Sequence, residues 1–209
     1  QNGNASLFSA LKNIDLSAFD SLAVGPGIGI DNDDWQKSKD YLLSFEGLLI
    51  LDADALNRIS ESKLGSKFFL ERKFKTWITP HSKEFIRLFP DIKCNNNIEL
   101  AFKAAKEFNI SVLLKGANSV IADSKKVWQI YGTDSQTARA GLGDLLSGFL
   151  AGSSAIDLTH SSDIKTEFFA KYVLLHSFAA SMCKRGSNSY AIGDELSKLM
   201  RNRKMRQIS

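Results

Sequence analysis

Five short segments of this sequence carry residue types that chemistry needs: Gly25-Pro-Gly-Ile-Gly29, Asp52-Ala-Asp54, Thr79-Pro-His81, Lys115-Gly-Ala-Asn-Ser119 and Gly141-Leu-Gly-Asp144. The last pairs a flexible glycine turn with a helix start, an arrangement in which several backbone N–H groups converge on one anion and cradle a phosphate. Asp144 is equally an ordinary N-cap, and the motif alone favours the cap. Gly148 and Gly152, four apart on the same helix, need mean only close packing. Lys115, Gly116, Ala117, Asn118 and Ser119 put a positive charge beside a tight turn between strands, which suits a phosphate but also describes a plain β-turn. Gly25, Gly27 and Gly29 let the backbone approach a ligand closely, or simply turn the chain. Asp52 and Asp54 suit a metal or a hydroxylated ligand, while Asp54 before Ala-Leu-Asn-Arg-Ile reads as a helix cap. His81 precedes Ser82, read as the cap of the next helix, and His160 and His176 make no metal-ligand spacing with it.

These segments have to be held by something, and the surrounding pattern says what. Short apolar runs ended by Gly, Asp or Pro alternate with segments of helical period, the pattern of an α/β domain with a mostly parallel sheet. Strands are expected at Leu22 to Gly25, Leu48 to Asp52, Thr76 to Thr79, Val112 to Lys115, Val120 to Ala122 and Val127 to Tyr131, the last two as an antiparallel hairpin. Helices are expected near Asp34 to Ser44, Ser82 to Phe89, Asn97 to Phe108, Asp144 to Ile156, Lys165 to Lys184 and Tyr190 to Arg201. The first four strands each lead towards a helix, and in open α/β sheets ligands bind at such carboxyl ends. With no internal repeat and no Pro-, Gly- or Ser-rich linker, residues 1–209 read as one domain.

Composition narrows the class. At 209 residues with 44% hydrophobic and 24% charged side chains, the chain can bury a sizeable core, and disordered or collagen-like classes are excluded. No apolar run reaches the ~18 residues of a membrane-spanning helix. Cys94 and Cys183 are far apart, which argues against a disulfide framework and fits a reducing cytoplasm. The net charge of +4 is concentrated in Lys198, Arg201, Arg203, Lys204 and Arg206, read as a solvated helix end and not a nucleic-acid arm.

Taken in order, the motifs resemble those of the carbohydrate-kinase-like dehydratases that repair hydrated NAD(P)H, a branch of the ribokinase-like superfamily. The matching elements are Gly-Pro-Gly-Ile-Gly at 25–29, Leu-Asp-Ala-Asp-Ala-Leu-Asn at 51–57, Thr-Pro-His at 79–81 with Glu84, Leu-Leu-Lys-Gly-Ala-Asn-Ser at 113–119, Val-Ile-Ala-Asp at 120–123 and Gly-Leu-Gly-Asp-Leu-Leu-Ser-Gly at 141–148. Leu175 to Ala180 and Tyr190 to Asp194 look like the family's closing helices. Leu142 and Ser119 stand where the family usually has Thr, and Ser82-Lys83 where Pro-Gly is common. The family's opening strands, glycine-rich turn and helix are not in this sequence, nor is the epimerase domain often fused ahead. The chain, beginning at Gln1, therefore reads as an N-terminally truncated domain.

The resemblance implies a ribokinase-like three-layer α/β/α fold whose mostly parallel sheet is incomplete at its N-terminal part. It implies ADP- or ATP-dependent dehydration of the 6S hydrate of NADH or NADPH, with Asp144 as general base. Lys115, Gly116, Ala117, Asn118, Ser119, Gly141 and Gly143 would hold the nucleotide. Gly27, Gly29, Asp52, Asn57, His81 and Asp144 would face the hydrated dinucleotide. Mg²⁺ is expected as phosphate counter-ion, carried by phosphate and water because no all-protein cage is visible. An open apolar sheet edge is expected, covered by the missing N-terminal fragment or by another copy of the chain in a homo-oligomer. Alternatives are a small-molecule kinase of the hydroxymethylpyrimidine or thiazole type, and a non-catalytic nucleotide-binding subunit.

Overall fold

The computed structural model describes residues 6–131, 141–161, 163–184 and 186–206, the last five of these as backbone. Ala140, at the head of the glycine turn, lies outside the described residues, as do the side chains of Arg203, Lys204 and Arg206.

The elements run α1 (Leu7–Lys12), β1 (Ser21–Val24), α2 (Asn32–Ser44), β2 (Leu48–Leu51), α3 (Ala53–Glu61), α4 (Lys67–Glu71), β3 (Thr76–Ile78), α5 (Ser82–Leu88) and α6 (Asn97–Phe108). They continue with β4 (Ser111–Leu114), β5 (Ser119–Ala122), β6 (Val127–Ile130), α7 (Leu142–Leu158), α8 (Thr166–Met182) and α9 (Ser189–Arg206). All six strands fall within a residue of where the apolar runs place them. They form one sheet in the order β1-β2-β3-β4-β5-β6. β1 to β4 pair in parallel, and β5 pairs antiparallel with both β4 and β6.

Two expectations are corrected here. β4 leads through Lys115–Asn118 directly into β5 and not into a helix, because the turn is too short for a crossover. α1 and α4, of six and five residues, are missing from the expected helices, since segments so short show no full period, and α3, of nine residues, was marked only by the cap expected at Asp54.

The alternation of side chains along each strand builds the layers. Leu49, Leu51, Ile78, Val112 and Leu114 face a core completed by Trp35 and Leu42 of α2, Leu56 and Ile59 of α3, Phe85 of α5 and Ala101, Ala104 and Ala105 of α6. Leu48, Ile50, Trp77, Leu113 and Ile121 face the opposite way, onto Leu146 and Leu150 of α7 and Phe169, Tyr172 and Val173 of α8. Trp77 stacks on Phe169 with ring centres 4.5 Å apart. Each such buried side chain is worth roughly 1.5–3 kcal/mol, so both faces need their helices, and the fold is a three-layer α/β/α sandwich. α7 lies across β1 and β2, fixed in part by the Ser21 hydroxyl donating to the Ala151 carbonyl at 2.7 Å.

Candidate functional site

Parallel pairing puts the ends of β1, β2, β3 and β4 in a row, so the motifs that follow them share one rim of the sheet. At its centre is Asp52, 2% exposed, just after β2. Its Oδ1 accepts from Lys115 Nζ at 2.8 Å and from the Ala53 N–H at 2.9 Å, and its Oδ2 accepts from the Ser147 hydroxyl at 2.8 Å. Lys115 extends from the end of β4 with its side chain 27% exposed, and Ser147, one turn into α7, is buried. Gly143 lies over this cluster: a Cβ there would stand 3.6 Å from Asp52 Oδ2 and 3.9 Å from Lys115 Nζ. The lysine segment and the glycine turn, widely separated in sequence, thus meet across one carboxylate.

α7 starts at Leu142 behind Gly141, whose φ of +77° a glycine adopts without strain, and among the described residues no side chain caps it. Its first-turn N–H groups and the positive end of its dipole face the rim beside the Lys115 ammonium. Asp144 is the third residue of the helix and exposed, which corrects the reading of it as N-cap. A cavity of about 840 Å³ opens from Gly141 and Asp144 along α7 and α9, walled by Leu145, Phe149, Tyr190 and Leu196. Behind α7, His176 of α8 is buried with the Leu142 main chain as its polar neighbour, and burial pushes its pKa down to about 4.

The glycine loop after β1 is fastened by α3. Asp54 Oδ2 accepts the Gly29 N–H at 2.9 Å, while Arg58, 1% exposed, donates to the Gly29 and Ile28 carbonyls and to Asp34. Both backbone polar groups of Gly29 are therefore occupied within the protein, and Gly27 is exposed at φ +72°. Asp54 does not cap α3; Asp52 does, its carboxylate accepting the Ala53 N–H, and Ala53 takes a left-handed φ of +46°.

His81, not Ser82, caps α5. Its Nδ1 accepts the Lys83 and Glu84 N–H groups, and Glu84 Oε2 returns the bond to the His81 N–H at 2.8 Å. Its Nε2 lies 3.3 Å from Glu84 Oε1, and the ring is half exposed. The Lys115 N–H donates to the Pro80 carbonyl at 2.9 Å and Lys115 bridges to His81, so these two junctions are neighbours and not separate stations. Ser119 is buried and closes the 116–119 turn through its hydroxyl, with Gly116, Ala117 and Asn118 exposed. Asn57 Oδ1 and the Thr79 hydroxyl are buried without a hydrogen-bond partner among the described residues.

The structure thus brings Lys115, Gly141, Gly143, Asp52 and His81 to one rim. Sequence reasoning missed Ser147 and the Asp54/Arg58 clamp. The four-residue spacing of Asp54 and Arg58 was a usable signal for one helix face; nothing local marks Ser147. Among the described residues no three His, Cys, Asp or Glu side chains are grouped to hold a metal.

Comparison with known proteins places these features in context. A family model described as NAD(P)H-hydrate dehydratase matches residues 4–200. The bifunctional NAD(P)H-hydrate repair enzyme Nnr of Synechocystis is 39% identical over 145 residues, covering 69% of this chain and 27% of the relative. That of Methanopyrus kandleri is 34% identical, covering 69% and 28%. The chain therefore spans about a quarter of the length of these curated relatives. Among solved structures, the Bacillus subtilis ADP/ATP-dependent NAD(P)H-hydrate dehydratase co-crystallised with ATP/Mg²⁺ superposes with a TM-score of 0.70 at 22% identity, over 93% of this chain and 69% of that one. A hydroxyethylthiazole kinase from Pyrococcus horikoshii gives 0.61 at 15% identity, over 92% and 75%. These likenesses establish a ribokinase-like fold.

Proposed function

Because this chain belongs to the NAD(P)H-hydrate dehydratase family, matched over residues 4–200, we propose that it takes part in the ADP- or ATP-dependent return of hydrated NADH or NADPH to the intact dinucleotide. The observation that carries this reading is the meeting of Lys115 Nζ with the first turn of α7 at Gly143. A fixed ammonium and several converging N–H groups form a place for a phosphoryl group in transfer.

In this reading the nucleotide lies over the 115–119 turn, with its terminal phosphate between Lys115 and the N–H groups at Gly141–Gly143. Asp144, in the same helical turn and exposed, accepts the proton of the ring hydroxyl as that oxygen attacks phosphorus and the bond to the donor's bridging oxygen breaks. Phosphate then leaves with the ring oxygen, and loss of a neighbouring proton restores the double bond. His81, on the adjacent strand end, and the loop of Gly27 and Gly29 face the hydrated dinucleotide, with Asn57 beside them. Magnesium, when bound, would be carried by the donor's phosphates and would supply charge neutralisation there, beside the positive charge that Lys115 itself contributes.

The test is incubation of hydrated NADH or NADPH with the chain and ADP or ATP. Release of inorganic phosphate matched to recovery of the absorbance of the reduced dinucleotide is expected. A stable phosphorylated product would show a kinase of the same fold, and nucleotide binding without turnover a binding subunit.

A further inference from the structure

We propose that Asp52 is a positioning residue for phosphoryl transfer: its buried carboxylate fixes the Lys115 ammonium against the first turn of α7. The proposal rests on the nucleotide reading above but gives Asp52 a different task from facing the dinucleotide. A lysine meets phosphate as a point charge on a flexible four-carbon stem, so whatever holds the ammonium decides where that charge sits. Here the holder is a carboxylate 3% exposed, at 2.8 Å, and the contact takes one of the three ammonium donors, leaving capacity for phosphate oxygens.

The same carboxylate registers the helix that supplies the other half of the cradle. Through Oδ2 it accepts the hydroxyl of Ser147, four residues beyond Gly143, so lysine and helix are set against one rigid group. Capping α3 requires only the bond to the Ala53 N–H and neither of the other two. Strand β2 keeps that group in place, because the Asp52 N–H donates to the Val24 carbonyl at 3.1 Å and Gly25 lies directly against the Asp52 carbonyl. Asp52 therefore joins β2, β4, α3 and α7 at the one point where the donor's phosphate is to be received.

The experiment is a double-mutant cycle read by calorimetric titration with ATP on the whole chain. Asp52→Asn preserves shape and the acceptor for Ala53 and Lys115, but it replaces the ion pair that holds the ammonium by a neutral contact and reverses the bond to Ser147, whose hydroxyl donates to the carboxylate. The expected result is a change in ATP dissociation constant of about fivefold or more when Lys115 is present, falling below about twofold in the Lys115→Met background. An equal change in both backgrounds would show Asp52 acting on the fold alone, and no change with Lys115 present would show no positioning; either overturns the proposal. If Asp52→Asn does not fold, Ser147→Ala replaces it in the cycle, with a change of about threefold or more expected only beside Lys115. Coupling in the cycle without consumption of hydrated NADH would remove the dehydratase reading and leave this one standing. Absence of ATP binding by the unsubstituted chain would remove both.

Discussion

Asp144 and His81 each combine a structural position with a chemical one, and single substitutions separate the two. Asp144 sits in the first turn of α7 without capping it, so its carboxylate contributes to the helix only through the dipole, about 0.3–1 kcal/mol. Asp144→Asn should therefore barely move the thermal midpoint, yet lower nucleotide-driven loss of hydrated NADH by roughly 10²-fold or more if the group takes the proton. Near-normal turnover would end that assignment. For His81 the capping box means that Ala costs about 1 kcal/mol of stability on its own. His81→Asn keeps an acceptor at the cap and should recover most of that loss, while the apparent affinity for the hydrated dinucleotide stays weakened in both variants. If the Asn variant restores affinity together with stability, the histidine is a cap and nothing more.

At the scale of elements, the ends of β1 and β2 are pressed together at Gly25. With φ at +145° and a Cβ that would fall 1.8 Å from the Asp52 carbonyl oxygen, Gly25→Ala has no small adjustment available. Its cost should exceed the ~1–3 kcal/mol of ordinary backbone strain, read as a drop in urea midpoint or as failure to fold; a wild-type midpoint would show that the two strand ends can part. α8 carries a pH dependence of its own. Burial holds His176 at a pKa of about 4 against an ordinary 6.5, so the unfolded chain binds the proton first. Stability from this group is complete above about pH 6.5 and declines as pH falls to about 4, by a total on the order of 3 kcal/mol. Urea midpoints measured across that range should show the decline in the unsubstituted chain and a flatter profile in His176→Asn.

For the whole molecule, the sheet ends at β1, and no strand pairs with its outer side among the described residues. A short edge of Ser21, Leu22, Ala23 and Val24 without a strand on its outer side among the described residues is a template for another strand. The expected outcome is a solution mass of at least two chains by light scattering. A stable, soluble monomer would show that the edge needs no cover. None of the helices is long and apolar enough to cross a membrane among the described residues.

The alternation of short apolar runs with helical segments was enough to locate six strands and the junctions that form the rim, because those depend on local periodicity and turn chemistry. The order of the motifs carried the family resemblance for the same reason. What the sequence could not decide is which polar side chain at a junction is buried and whom it meets. Asp52 and Asp54 are both carboxylates at a helix start, yet one is sealed between Lys115 and Ser147 and the other fastens Gly29. Those partners lie 63, 95 and 25 residues away, so the choice is made only when the sheet order brings β2 beside β1 and β3 and packs α7 across β1 and β2. Burial then requires each carboxylate to find its donors, a condition set by tertiary packing and invisible to any local pattern.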